Sequence, residues 1–146
     1  METRRFGNTG LDVPVVGMGT WQTFDVRGAD ADARRAVVDA AFEEGATRII
    51  GLAHYSPHAF DDLRRLMSDP RVGAIQVPYN PREREIEAAI LPAAADLGLG
   101  VVIMRPFGQG DLARRRIPKD ALAPLAPYGV TSWPQAVLKW ILSETR

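Results

Sequence analysis

The sequence predicts an α/β fold built from parallel strand-helix units, and three observations carry the prediction. Four short apolar runs, at residues 15–21, 49–53, 72–77 and 100–104, are each followed further along the chain by apolar residues at helical spacing. A strand-helix-strand order within one sheet takes a right-handed crossover, which leaves the strands parallel. Finally, 146 residues with 46% hydrophobic and 25% charged side chains have the size and composition of one globular domain, assigned to residues 1–146.

Residues 4–14 set two short apolar stretches around Asn8-Thr9-Gly10, the make-up of a small hairpin. The first buried strand is expected over 15–21, with a glycine-rich exit through Gly17-Met18-Gly19-Thr20-Trp21. Between Asp30 and Glu44, Ala33, Val37, Ala40 and Ala41 recur at helical spacing, and Gly45 supplies the stop. The 49–53 strand leads into Ser56-Pro57, a hydroxyl cap with proline in the first turn. A helix is therefore expected from Pro57 to about Met67, burying Phe60, Leu63 and either Leu66 or Met67. After the 72–77 strand, Asn80-Pro81 repeats that punctuation. The third helix is expected to bury Ile86, Ile90, Ala93 and Leu97, to bend at Pro92 and to end at Gly98. The run 100–104 holds no polar side chain, which predicts a strand covered on both faces. A short helix is expected near residues 120–126. Ser132 and Gln135 form the capping box of a last helix that buries Ala136, Val137, Trp140 and Ile141.

Eighteen basic side chains balance eighteen acidic ones, so the net charge recruits neither nucleic acid nor an anionic membrane. No stretch approaches the ~20 apolar residues of a membrane span, and the first residues carry no apolar leader, which makes the cytoplasm the expected compartment. With no cysteine and two histidines, neither a disulfide nor a metal site is expected. The triplet Arg114-Arg115-Arg116 lacks interleaved aromatics and reads as a solvated loop.

In parallel α/β sheets functional groups collect at the carboxyl ends of the strands. Those ends carry Gly19-Thr20-Trp21, Ala53-His54-Tyr55, Gln76 through Asn80, and Met104-Arg105-Pro106-Phe107-Gly108-Gln109-Gly110. The mixture suits a flat heteroaromatic ligand bearing amide and phosphate groups. Trp21 and Met104 would pack on a ring, Gln76 would read a carboxamide, and Arg105 with the Gly108 and Gly110 backbone would meet a pyrophosphate. Structural roles compete at each position: Gln76 can satisfy neighbouring backbone, and Trp21 can plug the sheet. Gly17-Met18-Gly19 is not a dinucleotide fingerprint, because the position of its third glycine is Gln22. His54 and Tyr55 are consecutive at a strand end and are expected on opposite faces, His54 toward the ligand side and Tyr55 against a helix. His58 is expected on the surface.

This ordered series resembles the aldo-keto reductase family. Arg5-Phe6-Gly7-Asn8-Thr9-Gly10-Leu11 and Val16-Gly17-Met18-Gly19-Thr20-Trp21 are similar to its amino-terminal hairpin and first strand. Ile50-Gly51-Leu52-Ala53-His54-Tyr55-Ser56, Gln76-Val77-Pro78-Tyr79-Asn80-Pro81 and Val102-Ile103-Met104-Arg105-Pro106-Phe107-Gly108 are similar to its fifth, sixth and seventh. Gln135-Ala136-Val137-Leu138-Lys139-Trp140-Ile141-Leu142 is similar to the helix before its eighth. The resemblance implies an oxidoreductase that reduces aldehydes and ketones to alcohols with NADPH. It also implies a (β/α)8 TIM barrel, of which this chain would form a part: about four βα units preceded by the hairpin, since a whole barrel needs roughly 250 residues. The implied cofactor-binding residues are Gly19, Thr20, Trp21, His54, Gln76, Met104, Arg105, Pro106, Phe107, Gly108 and Gly110. Two positions depart from the family pattern: its Ser-Asn pair falls on Ala53-His54, and its ring-stacking aromatic falls on Met104.

In that family three strands bearing the catalytic Asp, Tyr, Lys and His lie in the interval that here, between Gly45 and Ile49, holds only Ala46-Thr47-Arg48. A tyrosine general acid of this type needs a lysine ammonium at a neighbouring strand end to lower its pKa. The two lysines are Lys119, in a Pro-Lys-Asp loop, and Lys139, inside the last helix. No catalytic residue is therefore assigned. The chain also stops at Arg146, before the family's eighth strand and the basic loop for the adenosine phosphate. Two readings follow. One is an NADP(H)-dependent reductase by descent, impaired in catalysis, with a nicotinamide cofactor and a small carbonyl as its partners. The other is a non-catalytic remnant or interaction module whose open sheet draws copies of the chain into a homo-oligomer.

Overall fold

The computed structural model describes residues 2–6, 10–15, 23–24, 26–118 and 120–145. The expected first strand, 15–21, lies outside the described residues except for Val15, and with it Gly19, Thr20 and Trp21. Strands β1 (Thr3–Arg5) and β2 (Asp12–Pro14) form the expected antiparallel hairpin, closed by the Phe6 N–H donating to the Leu11 carbonyl at 2.8 Å. A separate three-stranded sheet contains β3 (Ile50–Ala53), β4 (Val72–Pro78) and β5 (Gly100–Met104) in that spatial order, with both pairings parallel. The molecule is thus a mixed α/β structure.

Helices α2 (Phe60–Leu66), α3 (Ile90–Asp96) and α4 (Trp133–Leu142) cover one face of that sheet. Leu52, Ile75 and Val101 are in register, as are Val77 and Ile103, and they point into the core. There they meet Leu63 and Met67 after β3, Ile90, Leu91 and Ala94 of α3, and Val137 and Ile141 of α4. Of the alternatives at the end of α2, Met67 is buried and Leu66 is exposed. The opposite face is different. Gly51, Ala53, Gln76 and Val102 alternate with the core residues and are exposed, with Ala53, Gln76 and Val102 side by side in the register. The expectation that β5 is covered on both faces is therefore corrected: Val102 is 38% exposed, because α2, α3 and α4 pack on the other side.

Helix α1 (Ala29–Glu43) forms where its periodicity predicts, but none of its residues is buried and Val37 is more than half exposed. An ionic contact attaches it instead. Arg71, just before β4, donates to Asp39 at 2.8 Å, pairs with both carboxylate oxygens of Asp69, and lies over the Phe42 ring at 5.9 Å. Helix α3 is also shorter than its sequence suggests. A 3₁₀ turn at Glu85–Glu87 buries Ile86, and the α-helix proper begins at Ile90. Pro92 thus falls in the first turn, where its missing N–H costs nothing, and it does not bend the helix as expected. Leu97 becomes the C-cap and is exposed, so Leu91 and Ala94 take the buried positions assigned to it. The helix expected near 120–126 is a 3₁₀ helix, Asp120–Tyr128, interrupted by Pro124 and Pro127, which cannot sustain α-helical hydrogen bonding. At α4 the Ser132/Gln135 capping box is present, and Ala136, Val137 and Ile141 are buried as expected, with Trp140 packed at the edge of the core.

The Phe6 ring brings the hairpin against the sheet. A Cβ placed on Gly100, at the start of β5, would fall 2.0 Å from Phe6 Cε1, so the ring lies this close only because position 100 is glycine. Gly100 is in register with Ala74 and shares the open face with Val102, which puts Phe6 over the amino-terminal end of that face. Gly100→Ala is expected to destabilise the chain by about 1–3 kcal/mol through overpacking. Most of that loss should be recovered when Phe6→Ala is added, as read from denaturant midpoints.

Candidate functional site

The carboxyl ends of β3, β4 and β5 lie side by side because parallel strands all leave the sheet at the same edge. At the first of them the backbone stays extended beyond Ala53, and the His54 N–H donates to the Gln76 carbonyl at 3.2 Å. His54 accepts the Ser56 N–H on Nδ1 at 3.0 Å. Its side chain lines an open groove with Leu52, Ala59, Asp62 and Leu63, between β3 and α2. The expected placement of His54 and Tyr55 on opposite faces does not form: Tyr55 is half exposed, and the two rings stack at 5.3 Å with 16° between their planes. Strand alternation does not apply here, because β3 has already ended at Ala53.

Gln76 is exposed at the centre of the open face, flanked by Ala53 and Val102. Among the described residues none hydrogen bonds its side-chain amide, so it does not serve the neighbouring backbone. Met104 closes β5 beside Pro78, its carbonyl accepting from Tyr79 at 3.3 Å.

Arg105, the next residue, has φ 54°, a left-handed conformation that L side chains enter only at a cost. Its guanidinium lies over the Tyr55 ring at 4.8 Å and within 4.0 Å of a Glu83 carboxylate oxygen. A ladder of Arg105, Tyr55 and His54 therefore spans the exits of β5 and β3. The loop then turns through Pro106, while Phe107 packs against the helix-side core and Gly108, Gln109 and Gly110 all have positive φ. The Gly108 and Gly110 N–H groups donate to the carbonyls of Arg105 and Phe107, at 2.9 and 3.0 Å. The backbone donors expected at a pyrophosphate are thus engaged within the loop, and Phe107 serves packing.

Asn80 links these exits. It is fully buried, its Oδ1 accepting from the N–H groups of Arg82 and Glu83, its Nδ2 donating to the Glu83 carboxylate and to the Arg105 carbonyl at 2.9 Å. The sequence marks Asn80 as a cap before a proline and Tyr55 as a strand-end group; Glu83 and the bond to Arg105 carried no such signal. His58 and Arg114-Arg115-Arg116 are exposed, as expected.

The side chains whose ionisation is most displaced lie elsewhere. On the helix side, Tyr79 donates to Glu87 at 2.7 Å, Arg84 makes two hydrogen bonds to the same carboxylate, and Trp140 packs against both Tyr79 and Arg84. Burial, reinforced by the bond to Glu87, pushes the Tyr79 phenol up to about 12, and the Arg84 and Tyr79 donors hold the Glu87 carboxyl below its usual range. At the start of β4, the Arg71 hydrogen bonds hold Asp69 down to about 2.

No protein-family model matches the chain. Among curated proteins it is similar to "Probable aldo-keto reductase 1" of Glycine max, 37% identical over 68 residues that make up 47% of this chain. That stretch is 19% of the relative's length, so the match spans about a fifth of the soybean protein.

The Tyr79 shift has a definite sign. Its folded-state pKa is raised, so the stabilisation is complete below pH ~10 and is lost as the pH rises through about 12. Tyr79→Phe is expected to flatten this alkaline limb in denaturation series and to move the Glu87 carboxyl back toward its usual range in an NMR titration.

Proposed function

We propose that this chain carries the nicotinamide-facing part of an aldo-keto reductase barrel without the residues that transfer the proton. It would then hold NADP(H) weakly and reduce no carbonyl by itself. The ordered motifs, the parallel sheet and the partial similarity to the soybean protein support this reading. One observation carries it: Gln76 presents an amide without a partner among the described residues, on an otherwise small and apolar floor of Ala53 and Val102. A carboxamide can both donate to and accept from such a group, and a flat ring can lie on the floor beside it.

The described residues fit the two ends of the cofactor unequally. Gln76 and Met104 suit the nicotinamide. At the phosphate end Arg105 offers a guanidinium, while the Gly108 and Gly110 amides are already bonded within their loop. Bound NADPH would supply a hydride; this chain's own residues would orient the ring and neutralise phosphate charge. The proton donor is the missing part. The interval Ala46-Thr47-Arg48 stands where the family has its Tyr and Lys, and Tyr55 lies beneath Arg105 without a lysine in the ladder. The same bare row of Ala53, Gln76 and Val102 also supports the second reading, a non-catalytic module that pairs through its open sheet face.

NADPH titrated by fluorescence is expected to bind, with Gln76→Leu lowering the affinity about tenfold for the lost carboxamide bonds. No cofactor oxidation is expected when an aromatic aldehyde is added. Turnover that disappears in Tyr55→Phe would overturn the assignment of a missing proton donor. Absence of binding at millimolar NADPH, with concentration-dependent dimerisation in a sizing experiment, would favour the second reading.

A further inference from the structure

We propose that Asn80 is a positioning residue that holds Arg105 in place for the anionic part of the ligand. This rests on the reading above, in which Arg105 meets the cofactor phosphates.

The argument starts from what a cap requires. To cap the turn after β4, Asn80 needs only its side-chain oxygen, which accepts from the Arg82 and Glu83 N–H groups at 2.9 and 3.2 Å; an aspartate or a serine would do the same. The side-chain nitrogen does something else. It reaches the carbonyl of Arg105, 25 positions along the chain, and the Glu83 carboxylate. Asn80 also exchanges two backbone hydrogen bonds with Glu83, at 3.2 and 3.0 Å. One fully buried amide therefore fixes both Arg105 and the acidic group that faces it.

Arg105 needs such a restraint. Arginine has no intrinsic preference for positive φ, and its carbonyl is held from two directions, by Asn80 Nδ2 and by the Gly108 N–H. In this conformation the guanidinium is laid over Tyr55, with Glu83 at 4.0 Å as a distant counter-ion. A pair that long is readily exchanged for a phosphate oxygen, which can approach to hydrogen-bonding distance. Asn80 thus pre-orders a cation at the strand ends, and the ordering cost is met during folding instead of during binding.

The test is carried out on the full chain. Asn80→Asp preserves the capping oxygen and deletes the donor, and a Glu83→Gln background removes the clash between two carboxylates. Glu83→Gln alone is the control. The position of the guanidinium is read by NMR from the ring-current shift that Tyr55 imposes on the Arg105 Nε–H, with Tyr55→Leu as the zero reference. Affinity is read with NADPH and with inorganic pyrophosphate. Asn80→Asp in the Glu83→Gln background is expected to abolish the shift and to weaken both ligands about tenfold, with no further loss when Arg105→Gln is added. A retained shift, or independent and additive losses, overturns the proposal. If the unsubstituted chain binds neither probe, the functional reading fails, and the ring-current shift still decides whether Asn80 places Arg105. Should Asn80→Asp fail to fold by circular dichroism, Asn80→Ser, which also keeps a capping oxygen, replaces it.

Discussion

The structure depends on the burial of one side of β4. Ile75 and Val77 are almost wholly removed from water, and the elements on either side in sequence gather over them: Met67 after α2, Ile90 of α3, Val137 of α4. Each such side chain contributes about 1.5–3 kcal/mol when fully buried, so this layer is the main reason the helices stay on the sheet. The same constraint shapes the other face. Once α2, α3 and α4 occupy one side, Gly51, Ala53, Gln76 and Val102 are left on the other, and parallel pairing brings all three strand exits to one edge. Core and candidate site are two sides of one sheet.

Charged groups divide along the same line. The Tyr79, Glu87, Arg84 and Trp140 cluster and the Arg71, Asp69 and Asp39 cluster have satisfied partners, and they tie loops and helices together. Their displaced ionisation is a consequence of structure-holding pairs and does not mark a reacting group. At the strand exits the pattern is reversed. The Gln76 amide has no partner among the described residues, and Arg105 has only a distant counter-ion. Polar groups that are positioned but not saturated are what a ligand requires.

Much of the fold was legible in local patterns. The Ser132/Gln135 capping box, the stop at Gly98 and the strand at 72–77 stand where spacing and punctuation put them, because each depends on residues close in sequence. The misreadings share a cause in packing. Pro92 reads as a bend within a long helix, but a 3₁₀ turn precedes it and makes it a helix start. Val102 reads as doubly buried, since an apolar run looks the same whether one face is covered or two. His54 and Tyr55 stack together instead of taking opposite faces because the strand ends at Ala53, a boundary that periodicity does not resolve.

The candidate site divides in the same way. Gln76, Met104 and Arg105 stand out in the sequence because strand ends with such groups are recognisable from composition and order, and so is the resemblance that gives them a role. The partners were decided by the tertiary structure alone: Tyr55 under Arg105, Glu83 facing it, and Asn80 bonded to its carbonyl. The hydrogen bond joining Asn80 to Arg105 crosses 25 positions, and the contact of Phe6 with Gly100 crosses 94. Local sequence specifies which element forms and which groups it carries. Which groups meet is set by how strands register and where helices pack, and those depend on burial summed over the whole sheet.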